Sequence, residues 1–177
     1  MNKFKFFLFF LWGFIGLLSC TNNNTSHEGP KNDSASDLEK EKLEISQILD
    51  KLTTATERGN IDQIKGIWLE SENDLLIGTE SNEKLEGWNE IQDALKKQFR
   101  NFHETLISIT DQSIWISEDG KIAWFYEELN YNFVFEDQAM EFKGIRVTGV
   151  LKKTEGKWRM VNQHLSVPAK LNMVKSR

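Results

Sequence analysis

Apolar positions recur along this chain with two different periods. From Leu38 onward Ile45, Ile48, Leu49, Leu52 and Ala55 fall three or four residues apart, which places them on one face of a helix. Ser36-Asp37-Leu38-Glu39 reads as a capping box that opens it, and Gly59 stops it. Asn60 caps a short second helix with Ile61, Ile64, Ile67 and Trp68 turned inward. Residues Asp74 to Thr79 read as a short strand. A third helix runs from about Trp88 to Phe102, with Trp88, Ile91, Leu95, Phe99 and Phe102 at helical spacing. The period then changes to two. Segments 105–117, 121–136, 139–153 and 157–167 read as strands. They are separated by turn signals at Asp119-Gly120, Glu136-Asp137-Gln138 and Thr154-Glu155-Gly156, the pattern of an antiparallel meander. Helices first and strands after give an α+β class, one sheet packed on a few helices.

Parity assigns the faces. One face carries Ala123, Phe125, Glu127, Leu129, Tyr131, Phe133 and Phe135, then Ile145, Val147, Gly149 and Leu151, then Val161, Gln163, Leu165 and Val167. It is the more apolar set and is assigned to the side that faces the helices. The other carries Trp124, Tyr126, Glu128, Asn130 and Asn132, then Arg146, Thr148 and Val150, then Trp158, Met160, Asn162, His164 and Ser166. This mixed aromatic and polar set suits a subunit interface. Turns centred on Asp137 and Glu155 would align Glu128, Arg146 and His164 as one row across three strands, unless a bulge shifts the pairing.

The N-terminus has the parts of an export signal: Lys3 and Lys5, an apolar stretch from Phe6 to Leu18, then Ser19. The stretch spans about 20 Å as a helix, too short for a hydrocarbon core of about 30 Å. The sequence Leu17-Leu18-Ser19-Cys20 resembles the lipobox of bacterial lipoproteins. That resemblance implies removal of residues 1–19 and acylation of Cys20, a membrane anchor of several acyl chains. By the same resemblance, Thr21 rather than Asp after the cysteine implies the outer membrane in a Gram-negative cell. Residues 20–36 are polar and aperiodic, a tether; the domain is expected over 37–168, with a tail at 169–177. Cys20 is the only cysteine, so disulfides are excluded. Without Lys3 and Lys5, 20 of the 22 basic residues face 27 acidic ones. This acidic balance argues against nucleic-acid binding.

The segment from Gly144 to Pro168 contains Arg146-x-Thr148, Gly156-x-Trp158 and His164-x-Ser166-x-Pro168. It resembles the last strands of SnoaL-like domains, in the nuclear-transport-factor-two-like superfamily, and is similar to the hub domain of calmodulin-dependent kinases. The resemblance implies a cystatin-like α+β roll, with three N-terminal helices packed in the concavity of a curved antiparallel sheet, a cone with an apolar cavity, and a homodimer. It implies no one activity, since the superfold hosts enzymes and binding modules alike.

Candidate chemistry is sparse. Glu127, flanked by Phe125 and Leu129, would act as a general base if burial raised its pKa, and Tyr131 would donate to an oxyanion. The simpler expectation is a solvated Glu127 near the cavity mouth. Gln163 and Trp68 are further pocket candidates. His164 has no nucleophile or orienting acid to complete a triad, and His27 and His103 offer no metal spacing. No cofactor or metal is expected. The leading expectation is a non-enzymatic envelope domain that binds a small apolar ligand or a protein partner. The alternatives are an isomerase or cyclase with Glu127 as base, and a dimeric scaffold with a filled core.

Overall fold

A computed structural model of the chain describes residues 33–80 and 82–169. The leader, Cys20, most of the tether and nearly all of the tail lie outside the described residues. Helix α1 spans Asp33–Glu57, α2 Ile61–Lys65 and α3 Trp88–Asn101. Strands β1 (Leu75–Ile77), β2 (Lys84–Glu86), β3 (His103–Ile116), β4 (Ile122–Phe135), β5 (Gln138–Thr154) and β6 (Lys157–Ser166) form one sheet in the order β2-β1-β6-β5-β4-β3. The sheet is curved and unclosed, with the helices packed on its concave side, so the α+β expectation holds. All pairs are antiparallel except β1 with β6, which is parallel.

The helices bury the stripes their periodicity defines. Ile45, Leu49, Leu52 and Ala55 of α1, Ile64 of α2, and Trp88 and Ile91 of α3 join Phe125, Leu129, Ile145, Val147 and Leu151 in one core. Each fully buried aliphatic side chain contributes roughly 1.5–3 kcal/mol. Asn60 caps α2 as expected, its side chain accepting from Gln63 N at 3.0 Å. Ser36-Glu39 does not cap α1: the helix begins at Asp33, and Glu39 pairs with Lys42 along the helix.

Register is set by two-residue turns and bulges. Glu136 and Asp137 (φ 49° and 60°), and Glu155 and Gly156 (φ 52° and 75°), are left-handed pairs, the geometry that matches strand twist in tight hairpins. Both turns are thus one residue tighter than the sequence signals suggest. In the β4–β5 hairpin Gly144 (φ 65°) adds a bulge opposite Asn130, whose Oδ1 accepts from Gly144 N at 3.1 Å. Turn and bulge cancel, and Glu128 lies opposite Arg146. In the β5–β6 hairpin the pairing jumps between Val150–Asn162 and Leu151–Met160, so Val161 is the extra residue. Here the two shifts add. Arg146 faces Ser166, and His164 faces Thr148. The three-residue row is therefore only the Glu128–Arg146 pair.

The same bulge reverses parity between the turn and Val161. Trp158 and Met160 point into the core, 2 % and 0 % exposed, not onto the outer face. Beyond the bulge parity returns: Gln163 lies across from Gly149 and Leu165 from Val147, on the concave side. Strand β2, absent from the sequence reading, closes the edge beside β1.

Candidate functional site

Glu127 is buried, 5 % exposed, which corrects the solvated expectation. Strand β4 sends it inward between Phe125 and Leu129, and β3 runs alongside with Gln112 as its direct neighbour. Gln112 Nε2 donates to Glu127 Oε1 at 2.8 Å, and Ser46 of α1 donates to Gln112 Oε1 at 2.8 Å. Burial pushes the Glu127 carboxyl above its ordinary range; the Gln112 hydrogen bond opposes the shift and the Asp50 charge adds to it.

Tyr131 is also buried on this face. Its hydroxyl accepts from Gln98 Nε2 of α3 at 2.8 Å. Burial raises its pKa, against hydrogen bonds with Gln98 and Thr105, while the Glu57 charge raises it further. Glu127 and Tyr131 stand four residues apart on one strand, about 13 Å along it. Each is held by its own polar partner, and they do not form one acid–base pair.

The other sequence candidates separate. Trp68 is core, 2 % exposed, tilted against Trp88 at 6.2 Å between ring centroids and bridged to Met160. Gln163 sits half-buried between β1 and β5, across from Leu76 and Gly149. Arg146 and His164 are exposed on the convex face. The Glu128 carboxylate accepts from the Tyr126 hydroxyl at 3.3 Å, and no ion pair joins it to Arg146 among the described residues.

Two features escaped the sequence reading. The first is the convex face around Trp115 and Trp124. These cross-strand partners stack at 6.4 Å and 11° and are 45 % and 44 % exposed. Ile122, two residues before Trp124 on β4, extends the apolar surface on the same side. Parity marks Trp124 as outward, but only the pairing of β3 with β4 brings Trp115 beside it.

The second is the corner where β1 meets α3. Asp74 is 1 % exposed. Its Oδ2 accepts from Ser71 N at 3.1 Å, while Oδ1 has no partner. Backbone bonds from Gly87 N to Asp74 O (2.7 Å) and from Trp88 N to Ser71 O (3.1 Å) tie this loop to the start of α3. The indole Nε1 of Trp88 is likewise buried without a partner. Burial raises the Asp74 pKa, the Ser71 and Glu70 backbone amides oppose it, and the Glu70 charge adds to it. Two open surface hollows lie here, and neither is lined by Glu127, Tyr131, Gln163 or Trp68.

The SnoaL-like domain family matches residues 45–170, and the chain belongs to it. No curated protein matches. Among solved structures, a nuclear transport factor 2-like superfamily protein from Salmonella enterica serovar Typhimurium is 19 % identical. It covers 78 % of this chain and 99 % of its own, with a TM-score of 0.69. A candidate dehydratase of the same superfamily from Streptomyces avermitilis is 13 % identical, covering 75 % and 99 %, TM-score 0.65. A candidate calcium/calmodulin dependent protein kinase II association domain from Xanthomonas campestris is 19 % identical, covering 72 % and 88 %, TM-score 0.62. At these identities the likeness is one of fold.

Proposed function

We propose that this chain is a lipid-anchored assembly domain of the bacterial cell envelope that works as a homodimer through the convex face of its sheet. The observation that carries this is the stacked Trp115–Trp124 pair, large aromatic surface left nearly half exposed. At roughly 25 cal/mol per Å², covering it is favourable, and indole rings ringed by polar residues are typical of binding surfaces. On the other side of the sheet the space is taken up by core side chains, with Glu127 and Tyr131 each committed to an internal partner. That favours a filled scaffold over an enzyme using Glu127 as base, or a cavity for a small apolar ligand.

Anchoring rests on the lipobox-like Leu17-Leu18-Ser19-Cys20, and in a Gram-negative cell the expected site is the outer membrane. Native mass spectrometry of the protein purified from its own host tests the reading. The expected species has twice the mass of the acylated chain and carries no small molecule. A monomer with a co-purified apolar compound would contradict it. Cys20→Ala should abolish incorporation of labelled fatty acid; labelling that persists would refute the anchor.

A further inference from the structure

We propose that the C-terminal segment after Pro168 adds to the free edge of β5 as a strap and covers Met140 and Phe142. Strand β5 has 17 residues and β6 only 10, and their pairing ends at Arg146 and Ser166. Residues 138–143 of β5 therefore have β4 on one side and, among the described residues, no strand on the other. Such an edge offers unpaired N–H and C=O groups to any extended chain. Its apolar side chains are uncovered too. Met140 and Phe142 lie opposite Phe133 and Tyr131, on the face turned to the core, yet are 40 % and 41 % exposed. The Phe142 ring stacks on Phe133 at 5.9 Å, and Phe133 on Phe102 at 4.0 Å. The two residues are thus the open end of an aromatic cluster that continues into the core, and covering them is favourable.

The chain itself supplies the occupant. It leaves β6 along this edge: two residues past the last pair, Pro168 Cγ lies 3.7 Å from where a Cβ on Gly144 would stand. Gly144 is at the bulge of β5, and proline, which has no N–H to donate, is tolerated beside a bulge. The sequence then reads Ala169-Lys-Leu171-Asn-Met173-Val-Lys175-Ser-Arg177, of which residues 170–177 lie outside the described residues. Passing the bulge as β4 does, with two residues of β5 against one, puts Ala169 beside Phe142, Leu171 beside Met140 and Met173 beside Gln138. Leu171 and Met173 then share the face of Met140 and Phe142, with Lys170 and Asn172 on the other, the alternation of a half-buried strand. Lys175 and Arg177 come beside the acidic turn at Glu136 and Asp137, a complementary charge in a chain that is acidic overall. A strap of the same chain is held at the edge by its covalent link, so at equal contacts it outcompetes a second copy.

Hydrogen exchange read by mass spectrometry tests the strap, on the full-length protein and on a chain that ends at Ala169, in the same buffer. Peptides covering residues 138–143 should exchange about tenfold faster in the shortened chain. Peptides covering β5 from Arg146 onward and β6 should be unchanged, which shows that the fold is kept. The full-length double variant Leu171→Asp/Met173→Asp should speed exchange in the same segment. In a Cys20→Ser background, Met140→Cys combined with Leu171→Cys should oxidise to a disulfide within one chain. Equal exchange of residues 138–143 in the full-length and shortened chains would overturn the proposal. So would a disulfide that joins two chains, which would assign the edge to a second copy.

Discussion

The carboxylate of Glu127, 5 % exposed, and the side-chain amide of Gln112 meet at 2.8 Å on the inward face of the sheet. The pairing satisfies one oxygen but leaves the charge buried, which is why the carboxyl titrates above its usual range. A raised carboxyl pKa makes the ionised form costly in the folded state. Below the unfolded value both states are protonated and the cost is absent; above the folded value it is fully present. Glu127→Gln keeps an acceptor for Gln112 and removes the charge. The variant should melt at a higher temperature than the wild type at neutral pH, and the gap should close in mildly acidic buffer. A variant less stable at neutral pH would show that the charge itself is useful.

Phe125 and Gly149 define a second close relationship. They are cross-strand partners, and a Cβ on Gly149 would lie 2.4 Å from Phe125 Cε1 and 2.7 Å from the Asn162 carbonyl oxygen. The ring and a backbone oxygen of β6 both crowd the position, so no single side-chain movement relieves it. Gly149→Ala should cost about 1–3 kcal/mol, as overpacking does, measured by urea denaturation. A loss below about 0.5 kcal/mol would mean that the sheet relaxes there more easily than close packing allows.

Glu41 ties the start of the core helix to the last hairpin. It pairs with Lys153 and accepts from the buried Trp158 Nε1 at 2.6 Å. The Lys153 hydrogen bond lowers its pKa most; desolvation opposes this and the Trp158 bond adds to the lowering. A lowered carboxyl contributes stability that is present above its unfolded value and is lost as the pH falls through the folded one. Glu41→Ala should cost about 1–3 kcal/mol at neutral pH, because the indole N–H is left unsatisfied. The difference from wild type should shrink in acid. Melts at both pH values check this, and a pH-independent difference would assign the effect to packing.

The helices and the inward faces of β4 and β5 were legible because apolar spacing reports burial directly. Ile45 to Ala55 follow the helical period, and Ala123 to Phe133 the strand period. What depends on backbone irregularity was not. Nothing in the apolar spacing marks Gly144 and Val161 as extra residues, so the Glu128–Arg146 pairing emerges from two cancelling shifts, while parity alone puts Trp158 and Met160 on the wrong face. Glu127 stands out in the sequence as an acid among apolar neighbours, but its burial does not follow from the sequence. Its partners Gln112 and Ser46 come from β3 and α1, and only the fold brings them to it. Asp74 reads as the first residue of a strand; its burial follows from the loop being pinned to α3, a contact invisible in the sequence.

The outer face of the sheet carries the central claim. Trp124 lies on it with its ring stacked on Trp115 and open to solvent, so a charge there leaves the fold intact and removes the surface available for association. Sedimentation velocity of the wild type and of Trp124→Glu, each without its acyl anchor and at micromolar concentration, measures this directly. The account predicts a dimer for the wild type and a folded monomer for the variant. A wild type that sediments as a monomer, or a Trp124→Glu protein that remains a dimer, would contradict it.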